Sequence, residues 1–494
     1  MKHLFTLRIL FLCLFVALDM RMSAEVIEYQ DGDLKYALNT ETQTAELAKY
    51  NGSATEIVIP ESVTYDGDVY RVTCLGDVCF FNCTCLKSIT IPSSVTCLGN
   101  NCFSSCSALT SITIPSSITS LGSGCFSDCS ALTSIDIPSS VTTLGDWCFH
   151  DCSSLTSINI PLSVTSLGYR CFYGCSSLTS IDIPSSVACL GDGCFGYCSS
   201  FTSIDIPSSV TCLGDYCFEG CSSLTSINIP SSVTCLGESF FGSCSALISI
   251  NIPSTVTSLG NGCFGYCSSL TSINIPSSVT SLGDYCFEGC SALTSITVDV
   301  NNPVFDSRDN CKAIIETQSN TLLYGCKNTI IPSSVTSLGD YSFSGCSTLT
   351  SITIPSSVKS FGKVCFWACS SLTSIDIPSS VTRLGENCFA FCYALNTVTC
   401  EIPTAIEGNF FNQTPINRAT LYVPEASLAS YKTTSPWSDF GAILPISGTG
   451  IESITVSEPT IEAIYNLEGK RMNSMSRGLN ILRMSDGTTR KVLK

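Results

Sequence analysis

Residues 212–234 read CLGDYCFEGCSSLTSINIPSSVT, and variants of this stretch follow one another along most of the chain. Its proline recurs every 23 residues, and the spacing resumes after one interruption. The prolines are Pro92, Pro115, Pro138, Pro161, Pro184, Pro207, Pro230, Pro253, Pro276, Pro332, Pro355 and Pro378. A fixed period of about 20–29 residues predicts a solenoid, because no single unit can bury its own apolar face and neighbouring units must stack.

The apolar residues of one repeat predict its local geometry. Ile227 and Ile229 alternate as in a strand, and Pro230 ends that strand because it has no N–H for a ladder. Gly237 is expected to allow a tight bend with positive φ, and Phe218 to fill the inside of the coil. We expect roughly 14 coils, with parallel strands about 4.8 Å apart on a concave face and short turns or irregular segments on a convex face.

Changes in the pattern predict the domain organisation. The apolar run at residues 9–18, followed by the small residues Ser23 and Ala24, is typical of a secretory signal. The run is too short for a membrane span, and no transmembrane helix is expected elsewhere. The predicted segments are a signal peptide (1–24), an N-terminal cap (25–73), repeats (74–298), an interrupting β-hairpin segment (299–331), repeats (332–400), a C-terminal cap (401–447) and a β-rich tail (448–494).

The 34 cysteines fall mostly in three columns of the repeat. One column precedes the Phe, as at Cys217, one follows it by three residues, as at Cys221, and one precedes Leu-Gly, as at Cys212. We expect all three to pack as small apolar side chains inside the coil. Disulfides between stacked coils stay open as the alternative, since equivalent residues on neighbouring strands lie about 4.8 Å apart. No zinc site is expected, because no His accompanies the Cys-x-x-x-Cys spacing.

Composition argues against several classes of function. The net charge of −17 excludes the basic footprint of a nucleic-acid-binding protein. Beyond the predicted signal peptide the one histidine is His150, which stands beside Asp151 in a variable position of the repeat. The sequence has no phosphate-binding Gly loop and no G-x-S-x-G motif. We therefore expect neither catalytic activity nor a cofactor, and no metal.

Residues 109–129, LTSITIPSSITSLGSGCFSDC, resemble the repeat of BspA-like leucine-rich-repeat surface proteins of the Treponema pallidum type. That repeat runs approximately L-x-x-I-x-I-P-x-S-V-x-x-I-G-x-x-A-F-x-x-C, and the similarity covers roughly residues 57–445. The ending of the chain is similar to short C-terminal modules of exported Bacteroidetes proteins. The resemblance implies a leucine-rich-repeat solenoid capped at both ends. It also implies a cell-surface or secreted adhesin for bacterial surface proteins or host matrix proteins such as fibronectin and fibrinogen.

Two surfaces vary among the nearly identical repeats. The polar strip occupies the predicted concave strand position and consists of Asp136, Asn159, Asp182, Asp205, Asn228, Asn251, Asn274 and Asp376. The aromatic strip follows the Gly or the Phe of each repeat and consists of Trp147, Tyr169, Tyr173, Tyr197, Tyr216, Tyr266, Tyr285, Tyr341 and Trp367.

These strips leave three functional hypotheses. Exposed Tyr and Trp are common anchors of protein interfaces, which favours a protein-binding adhesin. The same rings could stack on sugars, as in a glycan-binding module. Near-identity of the repeats favours a structural spacer without a specific ligand. The sequence defines neither the ligand nor the oligomeric state.

Overall fold

The computed structural model describes residues 26–446, 461–465, 470–472, 479–484 and 489–493. The chain divides into two units, Met1–Leu444 and Pro445–Lys494, and each is described by itself. The predicted signal peptide and the start of the predicted tail lie outside the described residues.

The first unit begins with strands that cover the open end of the repeats. They are β1 (Val26–Asp31), β2 (Leu34–Asn39), β3 (Thr44–Tyr50), β4 (Glu56–Val58), β5 (Ser62–Tyr65) and β6 (Asp68–Leu75). β1, β2 and β3 form an antiparallel meander, and β3 then pairs in parallel with β6. This pairing protects the first coil, whose apolar edge has no preceding repeat.

The repeats then contribute very short strands. In chain order they are β7 (Ser88–Thr90), β8 (Cys97–Leu98), β9 (Ser120–Leu121), β10 (Ser134–Asp136), β11 (Thr143–Leu144), β12 (Ser157–Asn159), β13 (Ser166–Leu167), β14 (Cys189–Leu190), β15 (Cys212–Leu213), β16 (Cys235–Leu236), β17 (Ser258–Leu259), β18 (Ser272–Ile275), β19 (Ser281–Leu282) and β20 (Ser295–Val298).

These strands form two parallel ladders. In the first, the Ile-x-Ile strands pair from coil to coil, as β10 with β12 and β18 with β20. In the second, the short strands that end at the Leu of each Leu-Gly dipeptide are paired from coil to coil. One sheet contains β6, β8, β9, β11, β13, β14 and β15 in that order. The sequence analysis missed the second ladder, because a two-residue strand offers no alternation of apolar and polar residues to recognise.

The predicted leucine-rich-repeat solenoid is confirmed. It has about 17 turns of ~23 residues, more than the roughly 14 expected from the stacking of repeats alone. The count is higher because segments of the caps and of the interruption also pair with the coils, as β3 does with β6 and β4 with β7.

The interrupting segment is built into the stack. It contains β21 (Phe305–Asp306), a 3-10 turn (Arg308–Asn310), β22 (Ile314–Glu316) and β23 (Thr321–Tyr324). β22 and β23 form the predicted hairpin, and β23 pairs in parallel with β24 (Ser337–Leu338) of the next repeat. Tyr324 packs edge-on against Phe287, with ring centroids 5.3 Å apart, and its hydroxyl donates a hydrogen bond to the Gly283 carbonyl.

The stack ends in a cap rich in aromatic residues. The last repeats contain β25 (Ser360–Phe361), β26 (Ser374–Ile377), β27 (Arg383–Leu384) and β28 (Thr397–Cys400). The cap contains β29 (Thr420–Val423), helix α1 (Leu428–Thr433), β30 (Ala442–Pro445) and 3-10 turns at Ile416–Arg418, Glu425–Ser427 and Trp437–Asp439. Tyr431 and Trp437 are fully buried, and the Trp437 indole donates to the Ile406 carbonyl at 2.8 Å. These side chains take the place of a next coil.

A column of Phe rings fills the inside of the coils, as predicted. From Phe80 to Phe195 neighbouring rings lie 5.3 to 5.7 Å apart and are nearly parallel. Parallel rings at this spacing are offset, which is a favourable arrangement of aromatic quadrupoles. Each of these rings is completely buried.

The cysteine columns do not all behave alike. In the two columns that flank each Phe every cysteine is buried except the half-buried Cys83, which agrees with the packing prediction, but Cys97, Cys212 and Cys235 are exposed. Interior packing is therefore wrong for the column before Leu-Gly, because in the second ladder the Leu points inward and its neighbour outward. All 33 described cysteines are free thiols. Buried thiols also bond to the preceding coil, as Cys221 donates to the Phe195 carbonyl at 3.2 Å.

The glycine after each Leu is required for a different structural reason from the positive φ that was predicted. Gly237 does not have a positive φ. The positive φ occurs two residues after the Leu-Gly glycine of a loop, as at Tyr216 after Gly214 and at Ser239 after Gly237. A Cβ at Gly237 would overlap the Asp215 carboxylate, and one at Gly260 would overlap the backbone of Gly237. Glycine is therefore needed for the close approach of neighbouring coils.

The second unit confirms the predicted β-rich tail. It contains β31 (Ile461–Tyr465), β32 (Arg471–Met472), β33 (Leu479–Met484) and β34 (Thr489–Leu493). They form an antiparallel sheet in the order β32, β31, β33, β34. Among all described residues there is no helix of the length and apolarity that a membrane crossing requires.

Candidate binding face

The polar strip is a uniform column on the first ladder. All eight of its side chains are exposed. Asp136 pairs with Asn159 across neighbouring strands, and Asn159 pairs with Asp182. Equivalent polar side chains stacked on parallel strands can satisfy one another, as Thr297 Oγ1 does by donating to Asn274 Oδ1 at 2.9 Å. Stacking between coils accounts for this arrangement without a ligand.

The aromatic strip lies on the loops that follow the second ladder, and its first half forms a connected run. The rings of Trp147 and Tyr169 meet edge to face at 5.2 Å, and those of Tyr173 and Tyr197 lie 5.2 Å apart. The Arg170 guanidinium joins the two pairs, 5.2 Å from the Tyr169 ring and 4.7 Å from the Tyr173 ring. This cation–π contact was not predicted from the sequence, because an Arg that stands at this loop position in one repeat carries no periodic signal.

The second half of the aromatic strip spans the interruption. Tyr285 and Tyr341 come from loops on either side of it, yet their rings lie 3.8 Å apart and their hydroxyls are hydrogen-bonded at 2.7 Å. Farther along, Trp367 meets Phe391 edge to face at 5.4 Å. Phe391 and the exposed Tyr393 beside it were not included in the predicted strip. Phe391 occupies the loop position of Tyr197, and Tyr393 lies two residues further along.

Six of the nine aromatic-strip residues hold a left-handed backbone. Their φ values lie between 53° and 60°, and the residues are Trp147, Tyr197, Tyr216, Tyr266, Tyr285 and Tyr341. They occupy two loop positions, and other coils hold the same backbone there with glycine, as at Gly193 and Gly220, or with non-aromatic side chains, as at Arg170 and Ser239. A side chain with a Cβ costs about 1 kcal/mol in this conformation. The fold therefore requires a left-handed residue at these positions but does not require an aromatic one.

The acidic residues beside the aromatic strip divide into two groups. Asp146 and Asp215 belong to the fold, because each accepts a backbone N–H from the next coil, from Tyr169 and Glu238 respectively, at 2.8 Å. Such bonds satisfy backbone donors that no strand pairs. Glu219 has no such bond to an adjacent backbone N–H among the described residues.

A groove of about 400 Å³ opens in the middle of this face. Its floor is made of small residues from two successive coils: Ser239, Gly242, Ser243, Gly262 and Gly265. On either side, the loops at 213–221 and 282–290 have the same sequence, LGDYCFEGC. Glu219 therefore stands at one edge, and Tyr285 and Glu288 at the other. The cavity forms because these loop positions of the two middle coils have small side chains or none. This pattern appears in the sequence only when the loops are compared position by position.

The walls of the groove are aromatic and acidic. Tyr266 is 51% exposed, and Glu219, Glu238 and Glu288 also line the cavity. Burial raises the pKa of Glu219 and of Glu288 above the ordinary value for a carboxyl group. A hydrogen bond to Glu238 raises the pKa of Tyr216 to about 12. The groove thus combines negative charge with partly covered rings.

The family pattern described as "BspA type Leucine rich repeat region (6 copies)" matches residues 73–202, 189–311 and 317–431. The chain belongs to this family. Members of the BspA type are bacterial surface proteins, and their solenoids are generally not catalytic.

Solved structures of bacterial leucine-rich-repeat proteins are similar to this BspA-type chain. One from Bacteroides ovatus is 29% identical, with a TM-score of 0.59, over 75% of this chain and 94% of that chain. A leucine rich cell surface protein from Faecalibacterium prausnitzii is 26% identical, with a TM-score of 0.41, over 86% and 97%. The T. pallidum leucine rich repeat protein is 24% identical, with a TM-score of 0.25, over 49% and 91%. No curated protein matches the chain significantly.

The BspA-type coils also bring together Asp128, His150 and Asp151, which the sequence analysis did not combine. One ligand-type atom of each lies within 4.8 Å of the others. His150 Nδ1 already pairs with Asp151 Oδ2 at 3.2 Å, and its ring stacks on Tyr173 at 5.1 Å. These contacts account for the cluster as loop packing between neighbouring coils.

Proposed function

We propose that this BspA-type protein is a cell-surface or secreted adhesin that binds a protein partner through the aromatic strip. The observation that carries the proposal is the presence of six partly exposed aromatic-strip residues at left-handed loop positions that other coils fill with glycine or non-aromatic residues. Exposed Tyr and Trp side chains supply large contact areas at little entropic cost, which is why they anchor interfaces.

The groove supports a binding role over that of a spacer. A spacer needs only identical coils, and most coils of this chain are nearly identical. Two successive loops between 235 and 265 instead place small residues side by side, Ser239 and Gly242 in one coil and Gly262 and Gly265 in the next. A local loss of symmetry on an exposed surface is expected for a binding site.

The proposed location and partners follow from the family and from the start of the chain. Residues 1–24 have the features of a secretory signal, and BspA-type proteins are found on bacterial surfaces. Host matrix proteins such as fibronectin and fibrinogen, or proteins of other bacterial surfaces, are the proposed partners. The polar strip, from Asp136 to Asp376, is the alternative face.

The test is saturable binding of the chain from residue 25 onward to immobilised fibronectin and fibrinogen. The variant Tyr266→Asn/Tyr285→Asn removes two exposed rings while keeping a residue that tolerates positive φ. Its matched control is Asn251→Ala/Asn274→Ala, which changes the polar strip of the neighbouring coils. We expect the tyrosine variant to weaken binding about ten-fold or more and the control less than about two-fold.

The opposite pattern would move the site to the polar strip. Competition by a neutral oligosaccharide would favour the glycan-binding alternative. Absence of saturable binding by the folded wild-type chain would contradict the choice of matrix partners and favour the spacer.

A further inference from the structure

We infer that the groove between the two LGDYCFEGC loops binds a lysine- or arginine-bearing segment of the protein partner. This inference rests on the proposed binding function and specifies its chemistry. It is carried by the shape of the groove, by the charge of its walls and by a similar contact within the chain itself.

The dimensions of the groove suit an extended segment. Glu219 and Glu288 stand three repeats apart, and coils are spaced by about 4.8 Å, so the two edges are roughly 14 Å from each other. An extended chain rises about 3.4 Å per residue, and residues i and i+4 point to the same side. Two basic side chains four residues apart would therefore reach opposite edges of the groove.

The charge of the groove is unbalanced. Glu219, Glu238 and Glu288 line it, and no Lys or Arg does. Within the described part of the chain, the ion pairs closer than 4.0 Å are Lys35–Glu28, His150–Asp151 and Arg308–Asp306, so none neutralises a groove glutamate. Burial disfavours the ionised carboxylates of Glu219 and Glu288, and a cationic ligand in the groove would relieve that cost.

The same face already holds one cation in the way we propose. Arg170 lies against the rings of Tyr169 and Tyr173, and its charge also lowers the pKa of Glu219 against the effect of burial. In the groove, Tyr266 and Tyr285 offer rings beside Glu288, and Ser344 orients that carboxylate by donating to it at 3.1 Å. A ligand Arg or Lys would find an equivalent combination of ring and carboxylate.

The test uses a fluorescent peptide, Gly-Arg-Ser-Gly-Ser-Arg-Gly, whose binding to the chain from residue 25 onward is followed by anisotropy at low ionic strength. The groove variant is Glu219→Gln/Glu238→Gln/Glu288→Gln. The matched control, Asp136→Asn/Asp182→Asn/Asp205→Asn, changes the net charge by the same amount on the polar strip. Two exposed ion pairs, one for each arginine, predict an affinity loss of about ten-fold for the groove variant and less than about two-fold for the control.

Equal losses in both variants would overturn the inference, since they would show a general attraction to an acidic protein. Displacement of the peptide by a neutral oligosaccharide would also overturn it. Failure of the inference is separable from failure of the proposed function. If the glutamate variant binds both the peptide and the matrix proteins normally while Tyr266→Asn/Tyr285→Asn does not, only the cationic ligand is rejected.

Discussion

At the scale of single residues, the repeat predicts which side chains are buried far better than it predicts backbone conformation. The buried Phe column and its flanking cysteines follow from the 23-residue pattern. The left-handed backbone of Tyr216 and Tyr285 does not, because propensity would place glycine or asparagine there. The requirement at Gly237 was also misjudged, since contact between coils restricts that position and sequence spacing does not reveal such contacts.

The close approach of coils makes a prediction at neighbouring glycines of one column. Gly362→Ala is expected to lower the free energy of unfolding by about 1–3 kcal/mol, because its Cβ would overlap the backbone of Gly339 and Asp340. Gly339→Ala is the matched control, since the nearest atom to its Cβ is the Leu322 carbonyl oxygen at 3.2 Å. Denaturant unfolding measures both, and equal effects would contradict the role assigned to these glycines.

The buried thiol bonds make a second prediction. Cys221→Ala is expected to destabilise the protein by about 1–2 kcal/mol, because the Phe195 carbonyl loses one of its two donors and a small cavity remains. Cys212→Ala, in the exposed column, is expected to change stability by less than about 0.5 kcal/mol. Chemical denaturation under reducing conditions measures the difference. A larger effect at Cys212 when the measurement is repeated without reductant would argue for a role in disulfides between coils.

At the scale of elements, long or regular patterns were predictable and short ones were not. The Ile-x-Ile strands and the hairpin of β22 and β23 were both predicted from alternation and turn residues. The second ladder was missed because its strands have only two residues. The groove was missed for a related reason. It is formed by the small residues of two loops that lie between loops with larger side chains, and small residues of this kind do not form a recognisable sequence motif.

The groove glutamates make a prediction about pH. Burial raises the pKa of Glu219, with Arg170 opposing and Glu238 adding to the shift. It also raises the pKa of Glu288, which accepts hydrogen bonds from Ser344 and Tyr266. A raised carboxyl pKa favours the folded protein at low pH, and this stabilisation is lost as pH rises through that pKa. The negative charge of these carboxylates, which would bind a cation, increases as pH rises through that pKa.

Affinity for the arginine peptide is therefore expected to fall as pH decreases toward 5, above the ordinary carboxyl pKa of 4.5. Arginine remains charged over this range, so the peptide itself does not titrate. Anisotropy titrations at several pH values measure the change. The Glu219→Gln/Glu238→Gln/Glu288→Gln variant should lose most of this dependence, and a wild-type affinity that is constant from pH 7 to 5 would contradict the prediction.

At the scale of the whole molecule, stability is expected to be a sum over coils and their interfaces. Two cores of buried residues meet at the interruption, one extending from Tyr36 to Cys326 and the other from Cys311 to Phe440. Tyr324 packs on Phe287 in the first core, and β23 pairs with β24 beside the second. The solenoid was predictable because repetition multiplies a weak signal, whereas the continuity of the stack across the interruption was not.

This arrangement predicts that Tyr324→Ala uncouples the two parts of the solenoid. Loss of the ring is expected to remove about 3–5 kcal/mol at the junction, and unfolding should separate into two transitions. Tyr422→Ala, at a partly buried position in β29, serves as the control and should leave the number of transitions unchanged. Calorimetry and denaturant unfolding monitored by Trp fluorescence measure this, and a single transition lowered equally in both variants would contradict it.

The central claim is that the aromatic residues at left-handed positions serve binding and are not needed for folding. The most direct measurement determines stability and matrix-protein binding on one variant, Tyr266→Gly/Tyr285→Gly. Relief of two strained backbones offsets the loss of partly exposed rings, so the free energy of unfolding should stay within about 1 kcal/mol of the wild type while binding falls about ten-fold or more. A loss of several kcal/mol with unchanged binding would show instead that these rings hold the coils together.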